Sequence, residues 1–279
     1  MLIMDNYGPV ATLEEEYCYW KARCYMGVCE FEKASHLFEK ARRLSPGNRT
    51  YSLWICQNAI AMEDYEFSMR FIEEALKGDI ENQYFLAVRS LINAEKGKIL
   101  EASDDIRNAE KINKCSWVLF CKALVLYSGR RYLEAEATLE ECRTMWLQEE
   151  NDSWQHTWIT HPLAEISALR AKICFEKGQL DQALLHINEA ITRSPCFGLW
   201  FLAKARILQE TGKIHEALEN LDMAEIFSSG LKGTIDLRRS IMLAMPLSSD
   251  CNKGPNAETE VRTNATTDEK LSEKGGTDQ

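Results

Sequence analysis

Proline and glycine are scarce in this chain, 6 and 14 residues of 279. That scarcity excludes a strand-and-turn architecture, which needs a turn residue every few positions. The 10 cysteines include no C-x-x-C pair, so neither a zinc ribbon nor a disulfide framework is expected. Several instead stand where a helix needs a small apolar residue. Long apolar runs are missing as well. The longest, residues 117–127, contains Lys122 and falls well short of the ~20 residues that cross a bilayer. The first ten residues carry Asp5 and no basic stretch followed by an apolar one, so no secretory leader is visible. No membrane partner is expected, and the cytosol, or the nucleus, is the expected compartment.

Positive charge is in deficit: 33 basic against 43 acidic residues give a net charge of -10. Duplex binding rests on clustered Lys and Arg, so nucleic acid is not the expected partner. The chain has no Gly-rich phosphate loop, no G-x-S-x-G elbow and no H-E-x-x-H helix. His156 and His161 lie five apart with no third ligand near them, which is too little for a metal. No cofactor, no metal and no catalytic activity are expected.

A repeat is what the chain has in abundance. Small residues at Ala34, Ser68, Ala102, Ala135, Ala183 and Ala217 are each followed four residues on by Phe38, Ile72, Ile106, Leu139, Ile187 and Leu221. Three further on stand Ala41, Ala75, Ala109, Cys142, Ala190 and Ala224. Three before the first set come Phe31, Tyr65, Ile99, Tyr132, Leu180 and Ile214, with successive spacings of 34, 34, 33, 48 and 34. Nine residues before those, Ala22, Cys56, Ser90, Ala123, Ala171 and Ala205 are again small. Two helices per unit follow, a small residue on each allowing close approach and the large one filling the gap to the next unit. Gly97, Gly178 and Gly212 fall in the turn between the two helices, where positive φ is wanted. Pro46 and Pro195 end the second helix of two units.

A period of about 34 residues and the run GQLDQALLHINEAITRSP at 178–195 resemble the tetratricopeptide repeat (TPR). The resemblance implies an all-α solenoid, a right-handed superhelix of about six helix-turn-helix units. The units span 15–48, 49–82, 83–115, 116–149, 164–197 and 198–231. A segment at 1–14 precedes them, an insertion at 150–163 separates the fourth from the fifth, a capping helix is expected at 232–246, and a polar, disordered tail at 247–279. The irregular stretch 144–162 carries Trp146, Trp154 and Trp158. It reads either as a partner-contact loop or, preferably, as extensions of the flanking helices packed over the junction.

In a TPR array the first helix of each unit lines the concave face. The resemblance therefore implies Tyr19, Arg23, Trp54, Gln57, Tyr84, Leu91, Trp117, Phe120, Leu124, Tyr127, Phe175, Leu199, Leu202 and Arg206 as partner-binding residues, with Lys172 and Gln209 on the same face. Such an apolar surface marks either an interface for another protein, as an amphipathic helix or a peptide segment, or a superhelix wound tightly enough to bury the face within itself. The expected role is a non-catalytic scaffold. Within the repeat superfamily, residues 183–225 resemble the auxiliary subunit of the N-terminal acetyltransferase A complex, through Leu202, Lys204, Ala205, Arg206, Ile207, Gly212, Ile214, Glu216 and Ala217. That likeness implies a groove wrapped around a small catalytic subunit. A co-chaperone or a TPR subunit of a cell-cycle ubiquitin ligase such as the anaphase-promoting complex are the other assemblies considered.

Overall fold

The computed structural model describes residues 14–78, 82–148, 158–229, 231 and 233–244. Among them are thirteen helices: α1 (Glu14–Gly27), α2 (Phe31–Leu44), α3 (Arg49–Ala61), α4 (Tyr65–Gly78), α5 (Gln83–Glu95), α6 (Ile99–Ile112), α7 (Ser116–Ser128), α8 (Tyr132–Gln148), α9 (Pro162–Glu176), α10 (Leu180–Arg193), α11 (Gly198–Glu210), α12 (Ile214–Phe227) and α13 (Thr234–Ala244). No described residue forms a strand. These helices belong to one unit of the chain that ends at Leu243; the other, 244–279, lies outside the described residues except for Ala244, as does the expected tail.

Consecutive helices pair as the repeat requires. The small residues of the first helices, from Ala22 to Ala205, are buried, as are those opening the second helices, from Ala34 to Ala217, because a larger side chain would hold the two axes apart. Only Ala75 of the third set is half-exposed, where Leu76 takes the buried place. The first helices of the inner units are apolar nearly all round; α7 reads SWVLFCKALVLYS with Lys122 as its one charge, the pattern of a helix covered on several sides. The second helices keep one apolar stripe and turn a charged face to water.

Each of the six pairs closes with the same turn. The residue two before the second helix adopts φ between 56° and 75°, and its N–H and that of the next residue reach back to the preceding helix. In the third unit these bonds are Gly97 N to Ala94 O at 3.0 Å and Lys98 N to Asn93 O at 2.8 Å, a Schellman motif. The expectation of glycine there holds in three units. In the others Cys29, Glu63 and Arg130 take the left-handed conformation, at a cost of about 1 kcal/mol each.

Ion pairs bridge the break between units four and five. Glu140 and Glu136 of α8 pair with Arg170 of α9 and with Lys177 at its C-terminal end, and Arg143 and Arg170 together hold the Glu140 carboxyl down to about 2. The array also curls until its ends meet: Cys29, in the α1–α2 turn, packs against the cluster built by α11, α12 and α13, beside the Ser228 hydroxyl. Helix α13 buries Ile241 on that cluster. Arg239 stands where the repeat's next small residue would fall, so no further second helix can pack closely there.

Candidate functional site

Solvent reaches only part of the concave face. In its first half, Tyr19, Trp54, Gln57, Trp117 and Phe120 are buried, Trp54 completely, and Arg23, Tyr84, Leu91 and Leu124 are half-buried. The covering comes from the chain itself. Trp158, from the stretch that separates units four and five, is 1% exposed and lies with its ring centroid 4.7 Å from that of Phe120. Its neighbour Ile159 packs against the cluster of the first two units, among Tyr19, Tyr51, Trp54 and Ile55.

Arg23 ties this plug down. Its guanidinium carbon sits 3.8 Å from the Trp54 ring centroid, and Nη2 donates to the Trp158 carbonyl at 2.8 Å. Stacking and a charge-assisted hydrogen bond join units one and two to the plug through one side chain. On the far side of the plug, Glu165 of α9 accepts from the Thr160 N–H at 2.6 Å and from its hydroxyl at 3.3 Å. Burial nevertheless pushes its carboxyl up to about 7, against the nearby Thr160 donors and Arg23. His161 then caps α9, its Nδ1 accepting from Leu163 N at 3.3 Å, with Pro162 in the first turn.

Of the tryptophans in the irregular stretch, Trp146 extends α8 and meets the His161 ring edge-on at 5.2 Å, whereas Trp158 belongs to no helix and enters the groove. Trp154 and His156 lie outside the described residues. Sequence periodicity assigned Trp158 no place on the inner surface, because its contacts skip across units.

The second half of the concave face stays open. Tyr127, Lys172, Phe175, Leu199, Leu202 and Arg206 line a cavity of about 450 Å³ between α7, α9 and α11, together with Trp200, Glu176, Ala168, Ala171 and Ala203. Among the sequence-selected residues, Tyr127, Phe175 and Leu199 are half-buried, Leu202 is buried and Arg206 is exposed. Trp200 was not selected; its indole Nε1 is buried without a hydrogen-bond partner. Among the described residues no helix is long and apolar enough to cross a membrane, and no group of three or more His, Cys, Asp or Glu could hold a metal. The described cysteines are free thiols, five of them buried.

No family model matches the chain, and no curated protein matches it. Solved structures do. A chain of the APC/C hetero-tetramer Cut9–Hcn1 superposes over 86% of this one with a TM-score of 0.58 at 12% identity, and a tetratricopeptide repeat protein from Parabacteroides merdae ATCC 43184 over 83% with 0.51 at 17%. The fold is the TPR solenoid. This chain covers 45% of the first protein's length and 86% of the second's. A further match, a monomeric mutant of IFIT1 with Gppp-AAAA, superposes over 86% of this chain and 58% of its own, with a TM-score of 0.54 at 16% identity. At such identities the likeness speaks for the fold alone.

Proposed function

We propose that this chain is a non-catalytic TPR scaffold that holds a partner protein in the open half of its concave face, within a multiprotein complex. The open cavity carries this reading: apolar side chains of three inner helices, Tyr127, Phe175, Leu199 and Leu202, line a concavity that solvent reaches, while beside Trp54 and Phe120 the same face is covered by the chain's own Trp158 and Ile159. An uncovered apolar concavity beside a covered one is where added burial stabilises a complex most. The plug also favours one form of partner. A helix is about 10–12 Å across with its side chains, whereas an extended segment needs room only for its alternate side chains, which suits a cavity of about 450 Å³.

The likeness of 183–225 to the acetyltransferase auxiliary subunit is the runner-up. Its signature residues Ala205, Ile207 and Ala217 are buried packing positions and Gly212 is the left-handed turn residue, so the repeat itself accounts for most of it.

The test is capture of the partner by tagged full-length protein, compared with Leu199→Glu and with Leu133→Glu, a change at a residue 77% exposed on α8. The expected result is a defined set of proteins recovered by the parent and by Leu133→Glu and lost with Leu199→Glu, all three keeping equal helicity by circular dichroism. An identical set recovered with Leu199→Glu sinks the groove assignment.

A further inference from the structure

Helix α13 packs on the last unit with one face and leaves another bare. Leu237 and Ile241 join the cluster of α11 and α12, the Gln209 Nε2 donates to the Ser240 hydroxyl at 3.2 Å, and Arg238 pairs with Asp222 and Glu225 of α12. Away from these contacts stand Ile235, Met242 and Leu243, each more than half exposed. With Asp236 and Arg239, also exposed, they share an arc of about 120° at 3.6 residues per turn. Ile226, next to Glu225 on α12 and likewise exposed, extends the apolar surface.

In the six units this side of the first helix carries a small residue, from Ala22 to Ala205, and is covered by the second helix. The equivalent position of α13 is Arg239, 34 residues after Ala205, and its bulk bars such a helix. A terminal helix that meets only water turns a polar face outward, yet here the arginine stands among three large apolar side chains. It also lacks an acceptor. Neither Arg239 nor Asp236 forms a side-chain hydrogen bond or ion pair with another described residue, whereas the adjacent Arg238 has two acids.

This face is complementary to itself. If a second copy lies antiparallel across it, with a two-fold axis passing between Leu237 and Arg238, Asp236 of each copy comes level with Arg239 of the other. Ile235 then lies two residues, or about 3 Å along the helix, from the level of Met242 in the second copy, within reach of both side chains. The two Arg239 stand three residues apart along the helix, each closer to acid than to the other. Opposite charges one turn apart at the centre and apolar residues toward both ends are what a two-fold contact requires.

We propose that the exposed face of α13 pairs two copies of this chain about a two-fold axis, through Ile235, Met242 and reciprocal Asp236–Arg239 ion pairs. The pairing is independent of the groove reading. An 11-residue helix is about 16 Å long, so the contact belongs to the small, dissociating class, and a dissociation constant on the order of 10 to 100 μM is expected.

The test is sedimentation velocity of the full-length protein from about 2 to about 200 μM. The parent should pass from monomer to dimer across that range, and so should Leu133→Glu, whereas Ile235→Glu and Met242→Glu should stay monomeric. Asp236→Arg and Arg239→Glu should each weaken pairing at least about tenfold alone, because like charges then face each other across the axis. An equimolar mixture of those two variants should pair like the parent, since each contact across the axis is again between opposite charges. All the substituted side chains are exposed, and equal helicity by circular dichroism confirms folding. A parent that stays monomeric at the highest concentration overturns the proposal and leaves the face to residues 245–279 or to a different protein. Pairing that survives Ile235→Glu, or that mixing the two charge variants does not restore, overturns it as well, by placing the contact elsewhere.

Discussion

Replacing Trp158 by alanine should destabilise the array and uncouple its first units from the plug. The side chain is 1% exposed, meets Phe120 ring to ring at 4.7 Å, and positions the carbonyl to which Arg23 donates at 2.8 Å. Removing a buried indole costs about 3–5 kcal/mol through lost transfer energy and the cavity left behind. A repeat array of this size loses roughly 2–4 °C of melting temperature per kcal/mol, so Trp158→Ala should melt about 6–20 °C lower. The form of the transition should change as well. Neighbour contacts alone make a solenoid nearly one-dimensional, and the plug adds a contact between residues 135 apart. Without it, the first two units should open before the last two.

Scanning calorimetry reads the melting temperature, and hydrogen exchange locates the change. Protection should fall in α1 and α3, which carry Tyr19 and Trp54, and persist in α11 and α12. Trp158→Phe should recover part of the loss by keeping a ring against Phe120. A fall of less than about 2 °C with α1 protection unchanged would refute the argument that the plug couples the units.

Glu165 supplies a pH dependence. Its folded pKa, about 7, lies above the ordinary 4.5, so the protonated form stabilises the fold; the contribution is complete below 4.5 and is lost as pH rises through 7. The ceiling is about 3 kcal/mol. Urea midpoints should therefore fall between pH 5 and 7.5 in the parent and stay flatter in Glu165→Gln; parallel profiles would contradict the assignment. At the turns, Gly178→Ala meets open space but keeps φ at 72°, so denaturant titration should show a loss of about 1 kcal/mol, while Arg130→Gly, relieving φ of 56°, should show a small gain. Asp105 accepts from Arg89 at 2.5 and 2.9 Å and from Asn93 at 3.0 Å; Asp105→Ala strands both donors and should cost about 2–3 kcal/mol by the same measurement. Asn82→Ala removes the acceptor for Tyr84 N and Phe85 N and should cost about 1 kcal/mol.

Spacing in the sequence was enough to place the helix pairs, because each unit's packing repeats the same small and large residues at fixed offsets. Ala22, Ala34, Phe38 and Ala41 satisfy contacts made within one unit or to its neighbour, and those contacts are periodic by construction. Which concave residues solvent reaches was a different matter. Trp54 and Leu199 come from the same rule of register, yet the first is fully buried and the second lines an open cavity. The difference lies in Trp158 and Ile159, which belong to no repeat and whose contacts reach units one, two and four. A period carries no record of a segment that leaves the array, and Trp158 has the same composition cue as Trp146, which stays on its helix.

The location of the break then acquires a physical sense. A chain that must enter its own lumen has to leave the array between two units, since any departure within a unit would separate the paired small residues. Leaving between α8 and α9 is tolerated because Glu140–Arg170 and Glu136–Lys177 still bind those helices together. Once inside, Trp158 and Ile159 fill the lumen beside Trp54 and Phe120, where the aromatic residues are densest, and stop short of α11. The apolar face is thereby divided into a part already satisfied and a part that is not. The second part, between α7, α9 and α11, is the inner surface that remains for a ligand.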